Sequence, residues 1–291
     1  MNHSITHRTT YHYHEPVSVS HHLLRLKPRA LPLQRCIQCN LQVDPTPVVF
    51  RPYEDYFGNR VAFVTVEGAH RELVVTARSL VEITAPKLPD PARTPAWEVL
   101  RKSNFGDRAD GALESSEFIY SSPMIRTQAD YNAYARDCFP AGGPLLECAL
   151  DLIHKIQTDF KFDPRATTVA TPLEEVFRTR RGVCQDFAHF TIACLRSLGL
   201  PARYVSGYLE TVPPPGKPRL VGADASHAWI SLFCSGYGWI DLDPTNDLIP
   251  STRHITVAWG RDYGDVCPVR GVILGSGEHT LKVSVDVMPV D

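Results

Sequence analysis

Cys184 sits in the stretch Arg181-Gly182-Val183-Cys184-Gln185-Asp186-Phe187-Ala188-His189, a turn signal followed at once by an apolar-periodic run. That places a thiol in the first turn of an expected helix. There, unpaired backbone N–H groups and the positive end of the helix dipole favour thiolate over thiol. A free cysteine titrates near pH ~8.5, and a helix N-terminus can lower this by one to several units. Downstream, Ser226-His227-Ala228-Trp229 and Trp239-Ile240-Asp241-Leu242-Asp243-Pro244-Thr245 supply a histidine and a carboxylate. A thiol nucleophile, an imidazole base and a carboxylate that orients it are the parts of an acyl transfer through a thioester.

The elements expected to hold these groups follow from hydrophobic pattern. Thr171-Pro172-Leu173-Glu174-Glu175-Val176 has an N-cap, a proline at the first helical position and acids in the first turn. Ala149–Ile156 repeats apolar residues at helical spacing. After Cys184, the residues Phe187, Phe190, Thr191, Cys194, Leu195 and Leu198 form one stripe that stops at Gly199. Ala202–Tyr208, His227–Phe233 and Gly238–Leu242 read as strands, the last two joined by a short turn over 234–237. That short turn is what makes a His227–Asp243 pairing physically reasonable.

Residues up to about 85 read as β-structure. Leu23–Leu26 is extended, and Val61–Val66 and Leu73–Ala77 are expected to form two strands joined by a hairpin loop at Glu67-Gly68-Ala69-His70. Pro86, Pro89, Pro91 and Pro95 then mark the expected boundary. The expected division is a β-rich domain over 1–90, a proline-containing linker over 91–120 and a catalytic core over 121–291.

Bulk properties narrow the function classes. The 291 residues are 43% hydrophobic and 21% charged with net charge −2, which leaves no electrostatic footprint for nucleic acid or an anionic membrane. No apolar run approaches the ~18 residues a bilayer span needs, and the start carries no apolar signal segment, so a cytoplasmic protein with reduced thiols is expected. The histidine-rich start (His3, His7, His12, His14, His21, His22) reads as a solvated, partly ordered strand rather than a metal site. Cys36-Ile37-Gln38-Cys39 has no second CxxC to complete a zinc site. As a strand it should turn its two thiols to opposite faces.

At the stretches around Cys184, at Gly199–Tyr208, at Asp224–Trp229 and at Asp243-Pro244-Thr245-Asn246, the chain resembles the bacterial transglutaminase-like proteins, a branch of the transglutaminase and cysteine-protease superfamily. Gly260-Arg261-Asp262-Tyr263 and the β-rich start, with Tyr11-His12-Tyr13, Leu26-Lys27-Pro28-Arg29 and Phe57-Gly58-Asn59, extend the resemblance over nearly the whole chain. It implies an α+β fold: an N-terminal β-rich domain, then a papain-like or transglutaminase-like core with the nucleophile at a helix N-terminus packed on an antiparallel sheet. It further implies Cys184 as nucleophile, His227 as base and then acid, Asp243 as orienting carboxylate, and no cofactor. Members of this branch often accompany genes for peptide-ligase-like proteins, which makes such proteins conceivable partners beside a peptide or protein amide substrate.

Around the three central residues, the backbone N–H of Cys184 is the expected oxyanion donor, with Gln185 as a candidate for the second. Asp186 is expected to stabilise the helix start, and Trp229 to stand beside the histidine. His189 is read as packing or support. Asp241 is the competing carboxylate, expected on the other strand face from Asp243. No metal is expected, since no acidic loop of calcium-binding type is present. Three functions compete: a thiol amide hydrolase, which leads, a protein-glutamine γ-glutamyltransferase, and a non-catalytic binding module.

Overall fold

The computed structural model describes residues 1–103, 112–211, 226–275 and 277–290. Its strands are β1 (Asn2–Leu24), β2 (Gln34–Asp44), β3 (Val49–Glu54), β4 (Arg60–Ile83), β5 (Lys161–Phe162), β6 (Arg181–Gly182), β7 (Ala202–Leu209), β8 (Ser226–Cys234), β9 (Gly238–Leu242), β10 (His254–Gly260), β11 (Val269–Leu274) and β12 (His279–Val290). The helices are α1 (Trp97–Ser103), α2 (Ala112–Ser116), α3 (Ala129–Arg136), α4 (Leu145–Asp159), α5 (Leu173–Thr179), α6 (Cys184–Ser197) and α7 (Tyr263–Val266).

Two long strands organise the first half. β1 and β4 pair antiparallel along most of their length. β2 and β3 pair in succession with the outer edge of β4. The expected hairpin at 67–70 does not form. Instead the chain runs straight on as β4, and Gly68, at φ 95°, absorbs a local irregularity beside the register shifts of β1. The histidine-rich start is solvated on one face only, with His12, His14 and His21 exposed. Burial alternates along β1, so His3, His7 and His22 are buried. His3 Nε2 bonds Glu210, and His7 Nδ1 bonds the hydroxyl of Tyr208, at the end of β7.

The other edge of β1 takes β12 and β11, so the last strands of the chain complete the first sheet. Residues 269–290 therefore pair with the N-terminal region rather than with the expected 121–291 core. Val285 and Val287 join Ile5, Val81 and Ile83 in the same apolar core as helices α3 to α6. The expected 91–120 linker is also partly structural, because Trp97 and Leu100 of α1 are buried in that core; residues 104–111 lie outside the described residues.

A β-bulge overturns the expected disposition of the CxxC. The register slips between Cys36 and Gln38, leaving Cys36 opposite Val81 and Cys39 opposite Ser79, two residues apart on β4 and so on one face. Cys36 Sγ donates to Gln38 O at 3.5 Å, and the neighbouring Cys36 thiol pushes Cys39 down to about 6.

The second sheet has the order β10-β7-β8-β9, all antiparallel. Helix α6 packs on β7 and β8 with α3, α4 and α5 around it. Residues 186–196 are buried on every side, so the expected single stripe understates how central this helix is. The outer edge of β10 would expose unpaired backbone groups. The N-terminal domain covers it with side-chain amides. Gln34 Oε1 accepts from Thr256 N and Gln34 Nε2 donates to Thr256 O, while Asn59 does the same for Trp259 N and O. Both amides are buried. Side chains of the first domain thus complete the backbone pairing of the second.

Candidate active site

Helix α6 begins on Cys184 because Val183 is extended (φ −115°, ψ −177°) and Asp186, three residues on, accepts the Val183 N–H at 2.8 Å. This is one half of a capping box, with the acid supplied and no side-chain acceptor at Val183 to return the bond. The same Asp186 oxygen accepts from Thr167 Oγ1 at 2.6 Å. Burial raises the pKa of this carboxyl while those two bonds oppose the rise. Gly182 is what lets Asp186 fold back, since a Cβ there would lie 2.5 Å from the carboxylate oxygen. Asp186 therefore shapes the helix start that presents Cys184.

Cys184 is half-buried, at the edge of the main core. Its backbone N–H and that of Gln185 have no partner among the described residues, as expected of the first helical turn. The Gln185 side chain reaches away, donating to Val169 O at 3.4 Å.

His227 stands near the start of β8, opposite Gly207 of β7. A Cβ on Gly207 would lie 2.1 Å from the Ile255 carbonyl oxygen and 2.5 Å from the Trp229 ring, so glycine permits β10 and Trp229 to close in behind the histidine. His227 Nε2 lies 2.7 Å from Asp243 Oδ2. An ionised carboxylate only accepts, so Nε2 carries the proton, and the remaining nitrogen, Nδ1, is free for Cys184. Cys184 lies close enough to the ring to raise its pKa.

Asp243 is fully buried, in the turn after β9, and is the hub of the site. Its Oδ2 accepts from His227, from His254 Nε2 at 3.0 Å and from Asn246 Nδ2 at 2.7 Å. Its Oδ1 accepts the N–H groups of Thr245 and Asn246. Burial works against its charge, but the hydrogen bonds to His227 and His254 outweigh it and hold the carboxyl well below the usual range. For His227, burial again opposes the charged form. The bond to Asp243 and the nearness of Cys184 prevail, and its pKa is pushed up to about 10.

Asp241 does not compete. Alternation puts residues two apart on one strand face, so the expected separation needs another cause: β9 ends at Leu242, and Asp243 sits in the following turn. Asp241 instead accepts the Trp229 indole N–H at 3.0 Å. Trp229 packs 6.0 Å from the His227 ring, but with its one N–H spent it has nothing to offer an oxyanion. His189 is a packing residue: it accepts the Tyr263 N–H and lies against Tyr204. Asp224 and Ala225 of the His227 stretch lie outside the described residues.

Sequence reading missed His254 and Asn246, which complete the shell of Asp243. Asn246 was within reach as a turn residue beside Pro244. His254 had no local signal, because β10 reaches Asp243 only through the sheet. The nitrogens of His227 and His254 and the carboxylate lie within 4.8 Å of one another, a spacing that could hold a metal ion. Both Nε2 atoms already bond one carboxylate oxygen directly, however, and an ion would have to displace both protons. A hydrogen-bonded hub fits these contacts better.

Activity should fall as pH rises through about 10, where the His227 imidazolium is lost. Stability has the same sign. A group whose pKa is raised on folding contributes fully below its unfolded value of ~6.5 and loses that contribution as pH climbs to the folded value. A pH series of kcat/KM with parallel urea melts checks this, and in His227→Gln, which should be inactive, the alkaline loss of stability should vanish from the melts.

Comparison with known proteins agrees with this architecture. Residues 3–82 match the family described as the bacterial transglutaminase-like N-terminal region, and residues 132–244 match the transglutaminase-like superfamily. An uncharacterized protein of Mycobacterium tuberculosis is 40% identical over 99% of this chain and 92% of its own length. A protein-glutamine γ-glutamyltransferase of Pseudomonas aeruginosa is 32% identical over 107 residues, 34% of this chain and 16% of that protein. Among solved structures, a candidate cysteine protease of Cytophaga hutchinsonii superposes with a TM-score of 0.77 at 21% identity, covering 100% of this chain and 92% of that one.

Proposed function

Because the chain belongs to the bacterial transglutaminase-like proteins, we propose that it is a cysteine-dependent hydrolase of peptide or protein amides, with Cys184, His227 and Asp243 as its catalytic triad. The observation that carries this reading is the ring of His227, bonded to Asp243 through Nε2 and close enough to Cys184 for the thiol to raise its pKa.

In the first half-reaction the Cys184 thiolate attacks the carbonyl carbon. The oxyanion that forms is met by the free N–H groups of Cys184 and Gln185 at the helix start. As the C–N bond breaks, the His227 imidazolium hands its proton to the departing amine and leaves a thioester on Cys184. In the second half, neutral His227 takes a proton from water, the resulting hydroxide attacks the thioester, and the acid and the thiolate are released. Asp243 keeps the His227 proton on Nε2 throughout, so that Nδ1 always faces the reacting atoms.

A second reading is supported by the 107-residue similarity to the Pseudomonas γ-glutamyltransferase. There a primary amine, not water, resolves the same thioester. Incubation with a glutamine-bearing protein, a peptide amide substrate and a fluorescent primary amine separates the two. Peptide cleavage without label incorporation is the expected result. Label incorporated through Cys184 in the absence of cleavage would replace hydrolysis by transamidation, and neither activity would favour a binding role.

A further inference from the structure

On the sheet face away from α6, the segments 31–34 and 83–89 of the first domain and the strands β7, β9 and β10 enclose a cavity of about 610 Å³. Its walls are mostly apolar, with Leu31, Leu33, Ile83, Trp239, Ile249 and Trp259 among them. Arg203 projects from β7 into this wall. Only 8% exposed, its guanidinium is sandwiched between Trp239 and Trp259, 4.2 and 3.7 Å from their ring centres.

Arg203 makes no hydrogen bond to the described residues, and its Nε is sealed from solvent without an acceptor. The contrast with Arg196, equally buried, is direct. That guanidinium donates to the carbonyls of Ala202, Tyr120 and Arg261 and to Ser122. A buried guanidinium without acceptors is costly. Burial pulls the pKa of Arg203 down to about 9 against the opposing charge of Asp241, whose Oδ2 is taken up by Trp229. With both faces covered by indoles, only the planar edge of Arg203 is open. That edge carries paired N–H donors in the fork that suits a carboxylate.

We propose that this cavity is a binding site for a monocarboxylate with an apolar body, its carboxylate seated on the edge of Arg203 and its body against Trp239, Trp259 and the aliphatic wall. Asp241 and Glu114 also line the cavity, and their charge disfavours a dianion such as phosphate. The volume admits a ligand of amino-acid to small aromatic-acid size. Cys184 and His227 do not line the cavity, but His254 does, and it bonds Asp243. An occupant would thus lie one side chain from the carboxylate that holds His227.

Titration of the full chain with 4-phenylbutyrate and with its neutral amide, followed by tryptophan fluorescence and calorimetry, tests this. The acid should bind saturably, perturb the indole emission and bind at least about tenfold tighter than the amide, the range of a charge-assisted bond. Arg203→Met should abolish that preference. Leu33→Glu, at an exposed wall position, should weaken the acid severalfold more than the amide, which decides the matter even if the arginine variant fails to fold. Equal binding of acid and amide, no saturable binding, or an acid preference left undiminished by either substitution would overturn the proposal.

Discussion

Cys184→Ala should reduce amide cleavage by about 10⁴-fold or more in kcat, the scale on which loss of a nucleophile is felt in a triad enzyme, with the melting temperature close to that of the wild type. The thiol is half-buried at the first position of α6, where alanine is well tolerated. Its loss removes one polar neighbour of His227 and leaves the Asp243 hub intact. No other cysteine is placed to take over. Cys138, Cys148, Cys194 and Cys234 are buried, and desolvation pushes all four thiols up, Cys148 and Cys234 to about 11. Cys267 bonds Tyr263, and Cys36 and Cys39 neighbour each other on the first sheet. Steady-state kinetics with thermal melts, and mass spectrometry for a substrate-derived adduct on Cys184, check the expectation. Retention of a tenth of the activity would move the nucleophile elsewhere.

Asp243→Ala should lose both activity and stability, the latter by about 3–5 kcal/mol, as when one partner of a buried charged pair is removed. Two buried imidazoles would face an empty site, and the N–H groups of Thr245 and Asn246 would lose their acceptor. Asp243→Asn separates the two effects. Its shape fits, but an amide has one oxygen to accept with, and its NH₂ group must face a donor. His227 and His254 can no longer both donate to it from Nε2, so one ring is forced into the other tautomer. The expected result is a smaller loss of stability with a fall in kcat of about 10³- to 10⁴-fold, as for the wrong tautomer in a triad. Urea melts and kinetics on both variants test this. An asparagine variant of near-normal activity would exclude Asp243 as the residue orienting His227.

The legible part of the site was local in the chain. Gly182 and Asp186 build the start of α6 within five residues of each other, and the short turn between β8 and β9 brings His227 near Asp243. In such cases, spacing converts almost directly into distance. The unread parts depend on long-range pairing. His254 and Asp243 are eleven residues apart and meet only because β10 lies beside β7. The pairing of β11 and β12 with β1 joins the two ends of the chain, and nothing in either segment alone names its partner. Local pattern also misread continuity. Gly68 looks like a hairpin turn, yet it is an irregularity within one 24-residue strand, because β1 offers an unbroken partner alongside. The bulge at Cys36–Gln38 reversed which way a thiol points for the same kind of reason: one extra residue shifts the alternation, and its position is set by the neighbouring strand.

The sequence by itself determined the thiol at a helix start, the order of histidine and aspartate behind it, and the α+β family to which they belong. These rest on short-range rules of capping, periodicity and turns. Tertiary structure alone decided that Asp243 serves two histidines and that amides of the first domain complete the edge of β10. It also left Arg203 between two tryptophans without an acceptor. Each of these depends on which buried polar groups meet across strands distant in the chain, and burial makes every such meeting, or its absence, count in free energy.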